Sequence, residues 1–190
     1  MFNLAPVSLW LEDYSALKAL FQRWREEGVD DLEAYLRANP SLLAQCSAAL
    51  RVLQVNQRTL DLFAAPDQAT LVAQLGQIFR DDMHHSLVRE LVQLWEGRLE
   101  YSNESVNYAL DGRRLDVRVN VRVLPGHEED WSRVLVSLED ITRQMQDALQ
   151  LRRSAQYARG LFEYSPVSLW VREFSTIKML LDGVRAQGIA

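Results

Sequence analysis

The chain has one cysteine, Cys46, in 190 residues. It cannot form an internal disulfide, which fits a reducing, cytoplasmic location. Basic charge is also scarce: 21 Lys and Arg stand against 26 Asp and Glu, for a net charge of −5. Neutralising a phosphate backbone needs clustered Lys and Arg, so no nucleic-acid partner is expected. No stretch approaches the roughly 18 apolar residues that would span a bilayer. The N-terminus has no basic segment followed by an apolar one, and Glu12–Asp13 interrupt it early. No membrane contact is expected from these residues, although a longer parent protein is free to be anchored elsewhere. There is no glycine-rich phosphate loop, no Cys/His cluster at metal spacing and no Ser/His/Asp context. We therefore expect no catalytic residue, no metal ligand and no enzyme activity in this stretch. Glu128–Glu129–Asp130 reads as a solvated loop rather than an acid/base pair.

What the chain does have is a repeat. Residues 2–29 and 162–189 align without a gap at an offset of 160. Phe2, Pro6, Val7, Ser8, Leu9, Trp10, Ser15, Lys18, Leu20, Arg25 and Gly28 are identical in both copies, 11 of 28 positions. A repeat this long marks a tandem array. We expect one complete module at residues 1–142, a connector at 143–161, and the truncated start of a second module at 162–190, within a longer protein. The repeated segment predicts a strand at Val7–Leu11 and a helix from Ala16 to Glu27 capped by Ser15. Leu17, Leu20, Phe21 and Trp24 form the buried stripe of that helix, and Gly28 ends it. Asp30 with Glu33 resembles a capping box for a helix at Asp31–Ala38. Pro40 opens another helix running towards Cys46. Together these form a helical insertion, 15–47, after the first strand.

Arg51–Val55 predicts a second strand, and Asn56 caps a short helix through Leu60 and Phe63. One or two short helices follow between Pro66 and Phe79. Met83–Trp95 predicts a longer helix with Leu87, Val88, Leu91, Leu94 and Trp95 on one face. The period then changes to two. Ser105–Leu110 reads as a strand and Asp111–Gly112 as a tight hairpin turn. In the return strand Leu115, Val117, Val119, Val121 and Val123 face one way, and Asp116, Arg118, Asn120 and Arg122 the other. Trp131–Leu138 reads as the last strand. The expected fold class is α+β: a five-stranded antiparallel sheet with helices between strands two and three. After Asp140 a polar helix with sparse apolar residues begins, suited to a solvated connector or a weak two-stranded coiled coil.

This succession resembles a PAS domain. The resemblance rests on Val52-Leu53-Gln54-Val55-Asn56 before a short helix, the Asp111–Gly112 hairpin, and Leu135-Val136-Ser137-Leu138-Glu139-Asp140-Ile141-Thr142. PAS domains commonly leave their last strand through such an Asp-Ile-Thr step. It covers about residues 2–142, and residues 162–190 resemble the opening of a second PAS domain. The Pro-Val-Ser-Leu-Trp variant with its helical insertion is similar to modules of bacterial multidomain sensors. The resemblance implies a sensory and dimerisation module that binds a small ligand, a cofactor or a protein partner. It further implies a relay through the C-terminal helix to a histidine kinase or to GGDEF/EAL domains that turn over cyclic di-GMP. The alternative is a ligand-free PAS dimerisation domain that holds two chains in register.

Candidate site residues follow from the resemblance. Tyr108, Asn120 and Trp95 are the expected ligand contacts, with Asn107 beside them. Asp140, Ile141 and Thr142 are the expected relay, since an acidic or hydroxyl side chain at a helix start binds backbone N–H groups. Flavin and haem are both compatible with the family, and neither has a specific motif here. His84 and His85 invite a haem reading but read better as partly exposed residues. Cys46, in Ala-Gln-Cys-Ser-Ala, lies in the wrong place for a photoactive thiol and reads as a small buried hydrophobe. Trp10, Trp24 and Trp131 read as core. The expected assembly is a homodimer, and residues 162–190 can exchange between chains to bury Trp170 and its apolar stripe.

Overall fold

The structure is a computed structural model that describes residues 2–79 and 84–163. After a short 3₁₀ turn at Phe2–Leu4 the elements run β1 (Ser8–Asp13), α1 (Ser15–Glu26), α2 (Leu32–Ala38), α3 (Ser41–Ala48) and β2 (Arg51–Val55). Four helices follow, α4 (Gln57–Phe63), α5 (Gln68–Ala73), α6 (Leu75–Ile78) and α7 (His84–Trp95). Strands β3 (Glu100–Tyr108), β4 (Arg114–Val123) and β5 (Val134–Asp140) then lead into α8 (Thr142–Glu163). The five strands form one sheet in the order β2-β1-β5-β4-β3, every pairing antiparallel. This is the α+β arrangement expected from the sequence, with helices between strands two and three and a helical insertion after strand one.

The chain divides into two units, Met1–Met145 and Gln146–Ala190. The first contains the sheet, α1–α7 and the first turn of α8. Of the second, the described part is the rest of α8. The repeat copy expected to exchange between chains, with Trp170, lies outside the described residues. No helix among the described residues is long and apolar enough to cross a membrane.

The core sits between one face of the sheet and the helices. Alternation places Leu115, Val117, Val119, Val121 and Val123 of β4 and Val134, Val136 and Leu138 of β5 in it, all at most 7% exposed. The α1 stripe of Leu17, Leu20, Phe21 and Trp24 is buried as its spacing requires. Phe21 meets Trp24, Trp95 and Trp131 at centroid distances of 6.0, 5.3 and 6.1 Å. Trp10 packs edge-on to Phe63 at 5.6 Å.

Local chemistry explains where elements begin. Asn56, fully buried, joins three segments. Its Oδ1 accepts from the N–H groups of Leu9 and Thr59 and from the Thr59 hydroxyl, and its Nδ2 donates to the carbonyls of Phe2 and Val7. That caps α4 and holds the N-terminal segment onto it. Gly28 has φ +86°, and the Val29 N–H reaches back to the Trp24 carbonyl at 2.9 Å, closing α1.

Several boundaries differ from the sequence reading. Ser15 does not cap α1; Asp13 Oδ1 accepts the Ser15 N–H at 2.9 Å, and Tyr14 holds the cap position without a side-chain bond. The α2 cap is Asp31, which accepts from the Ala34 N–H. Strand β3 starts at Glu100, five residues before the expected Ser105. Its exposed Glu100, Ser102 and Glu104 hide the alternation in the sequence, yet they pair with Arg122, Asn120 and Arg118 of β4. Strand β5 starts at Val134 because Trp131 is in the left-handed region at φ +54°. Its carbonyl accepts the Tyr14 N–H at 2.8 Å instead of joining the sheet. The expected start of α7, Met83, lies outside the described residues.

Candidate functional site: a cavity between the sheet and α7

Strand β1 places Ser8, Trp10 and Glu12 on its core-facing side, since side chains alternate. Glu12 therefore follows Trp10 inward. On α7, Glu90 lies three residues after Leu87 and four before Leu94, within the apolar face rather than opposite it. The two carboxylates line a cavity of about 270 Å³. Its other walls come from β2 (Val52), α3 (Ser47), α6 (Leu75 and Gly76), β3 (Asn107), β4 (Val119) and β5 (Val136 and Leu138). This is slightly below the usual range of roughly 300–1,000 Å³ for small-molecule sites, so it suits a small occupant.

The cavity is polar in an unbalanced way. Asn107, 1% exposed, leaves Oδ1 without a hydrogen-bond partner, and Glu90 leaves Oε1 so. Buried polar atoms are normally paired, so two unpartnered acceptors in one cavity call for a donor. Glu12 is better served, accepting the Tyr14 hydroxyl at 2.6 Å. Burial nevertheless pushes the Glu12 carboxyl up to about 7, against the lowering pull of that hydroxyl. Burial, then the charge of Glu12, pushes Glu90 up to about 8. The phenols of Tyr14 and Tyr101 are raised well above the ordinary tyrosine value, first by burial and then by these carboxylates. None of the ion pairs among the described residues involves Glu12 or Glu90.

The expected ligand contacts fall elsewhere. Asn120 is on the opposite face of the sheet, exposed, with Nδ2 donating to Ser137 Oγ at 3.2 Å. Tyr108 is also on that outer face, paired with Arg114, while its neighbour Asn107 points into the cavity. Trp95 fills the core between α1 and α7: Phe21 packs on its ring, the Arg25 guanidinium lies 4.5 Å over it, and its Nε1 donates to the Asp30 carbonyl. It does not line the cavity. The reading from sequence missed Glu12, taken as a strand terminator, and Glu90, masked by its apolar neighbours. Strand parity from Trp10 and helical spacing from Leu87 were the signals available. The side chains of His84 and His85, and any haem reading of them, lie outside the described residues. Cys46 is fully buried, and burial pushes its thiol up to about 11, so it stays a thiol. Among the described residues no group of three or more His, Cys, Asp or Glu is placed to hold a metal ion.

The expected relay residues are assembled. Asp140 Oδ1 accepts the Thr142 N–H at 2.9 Å. Ile141, 2% exposed, donates its N–H to the Asp116 carbonyl at 2.8 Å. The Asp116 N–H in turn donates to Thr142 Oγ1 at 2.9 Å. The joint between β5 and α8 is thus fastened to β4.

No protein-family model and no curated protein matches the chain. Solved structures that it is similar to include PAS and LOV domains. One is the PAS domain, in complex with ethanol, of a LuxR-family transcriptional regulator from Burkholderia thailandensis, at 11% identity and TM-score 0.46, covering 74% of this chain and 94% of that one. Another is the LOV protein of Rhodobacter sphaeroides, at 14% identity and TM-score 0.49, covering 99% of this chain and 87% of that one. A third is a PAS domain from Colwellia psychrerythraea, at 10% identity and TM-score 0.48, covering 75% and 92%.

Proposed function

We propose that residues 1–142 form a PAS-type sensory module whose cavity, when occupied, biases the helix leaving Asp140. One observation carries this reading: the cavity wall and the exit joint belong to the same two strands. Val136 and Leu138 line the cavity, and Asp140 caps α8 two residues later on β5. Val119 lines it on β4, three residues from Asp116, which holds Ile141 and Thr142. An occupant that moves these strands moves the fastening of α8 with them. Met145 and Leu149, one turn apart and about half exposed, offer α8 an apolar stripe for a second copy in a homodimer. The downstream output, a histidine kinase or cyclic di-GMP turnover, belongs to a longer cytoplasmic signalling protein in this reading.

The test is native mass spectrometry of the purified chain, then amide exchange before and after removal of small molecules by unfolding and refolding. The expected result is a bound metabolite and faster exchange at Ile141, Thr142 and Met145 in the stripped protein. A chain of bare polypeptide mass with unchanged exchange there would favour the ligand-free dimerisation domain.

A further inference from the structure

The cavity is chemically one-sided. Its polar lining is Glu12, Glu90, Asn107 and the hydroxyls of Tyr14 and Ser47, and both hydroxyls already donate, to Glu12 and to the Leu43 carbonyl. Glu90 Oε1 and Asn107 Oδ1 are both buried and unpartnered. Open acceptors select against an anion, and ionising either carboxyl here is costly without a compensating cation. The rest of the wall is hydrocarbon and aromatic: Trp10, Val52, Leu75, Val136 and Leu138 among others.

We infer that this cavity binds a small organic ammonium ion, a primary amine with a short hydrocarbon body. A primary ammonium carries three N–H donors, matching Glu12, Glu90 and Asn107 in number and polarity. Its single positive charge compensates one ionised carboxylate while the other carboxyl keeps its proton, and its hydrocarbon body is accommodated by the apolar walls. A bare metal ion fits less well, since it would have two carboxylates and one amide in a mostly apolar site and no third His, Cys, Asp or Glu among the described residues. The second copy keeps Pro-Val-Ser-Leu-Trp yet has Arg172 at the position of Glu12. The acid at this position is thus not shared by the two copies.

Among the described residues, the titratable groups at this centre are Glu12 and Tyr14 at β1 and its end, Glu90 on α7 and Tyr101 on β3. The phenols stay neutral, whereas one of the two carboxyls must release its proton to pair with a singly charged cation. Binding is therefore coupled to proton release and strengthens as pH rises.

The experiment is calorimetric titration of the full chain with n-butylammonium chloride, n-butanol as the uncharged counterpart, and magnesium chloride. We expect saturable binding of the amine at about pH 8.5 that weakens about tenfold or more at about pH 6, with protons released. n-Butanol and magnesium should bind at least about tenfold more weakly, and Glu90→Gln, which keeps shape and removes charge, should weaken the amine about tenfold. Equal binding of n-butanol, tighter binding of magnesium, unchanged affinity in Glu90→Gln, or no amine binding would each overturn the inference. It rests on the sensory reading for its meaning but fails separately. A neutral metabolite in the purified protein leaves a sensor that is not an amine site. Amine binding with no effect on exchange at Ile141 and Thr142 leaves an amine site without a relay.

Discussion

Asp116 and Thr142, 26 residues apart, are joined by a hydrogen bond from the Asp116 N–H to Thr142 Oγ1 at 2.9 Å. The threonine hydroxyl sits at the first position of α8, and the aspartate lies near the start of β4. Beside it, Ile141 donates its N–H to the Asp116 carbonyl. The strand that lines the cavity and the helix that leaves the domain therefore share one backbone peptide neighbourhood.

Thr142→Val keeps the shape of the side chain and removes the hydroxyl. The Asp116 N–H loses its acceptor in a partly buried place, which costs about 1–2 kcal/mol. Urea denaturation should register that loss, and the Asp116 amide should exchange faster while amides of β1 remain as protected as before. An unchanged Asp116 amide would mean that the hydroxyl does not fasten the joint.

Stability should depend on pH through the two cavity carboxyls. Glu12 and Glu90 titrate at about 7 and about 8 in the folded chain, above the ordinary 4.5. Between these limits the folded protein holds protons that the unfolded chain has released. The contribution is therefore complete below about pH 4.5 and is lost as pH rises through about 7 to 8. The loss is on the order of 1–3 kcal/mol, given that the cavity admits some solvent. Glu90→Gln should flatten this slope and make the empty protein more stable than the parent at about pH 8.5. A denaturation series with the same slope in both proteins would count against it.

Asn56→Ala should be the most damaging of the single changes considered. It leaves the N–H groups of Leu9 and Thr59 without their side-chain acceptor and the carbonyls of Phe2 and Val7 without their donor. The expected cost is about 3 kcal/mol or more. Thermal melting checks it: a midpoint within a degree or two of the parent would show that the N-terminal segment does not depend on this side chain.

Much of the α+β architecture was legible from residue order. The β4 alternation, the α1 stripe and the Asp111–Gly112 turn are local signals. Each depends on a period of 2 or 3.6 or on a glycine at φ +90°, and each appears in the structure where its residues stand. The joint at Asp140–Ile141–Thr142 was legible for the same reason, because a cap is made by residues two or three apart. Trp131 was not, since a tryptophan in the left-handed region is held there by Tyr14, more than a hundred residues earlier.

By itself, the order of amino acids determined which faces of each strand and helix are apolar, where helices can be capped, and that the opening segment recurs. It did not determine which face of the sheet the helices would cover. That choice, made by packing α7 and the insertion onto the Leu115–Val123 side, turned Asn107 inward and left Tyr108 and Asn120 outside. It also brought Glu12 and Glu90, 78 residues apart in sequence, to the same cavity. The physical reason is that periodicity is a property of one element, whereas burial of a charge is decided by the neighbours that surround it.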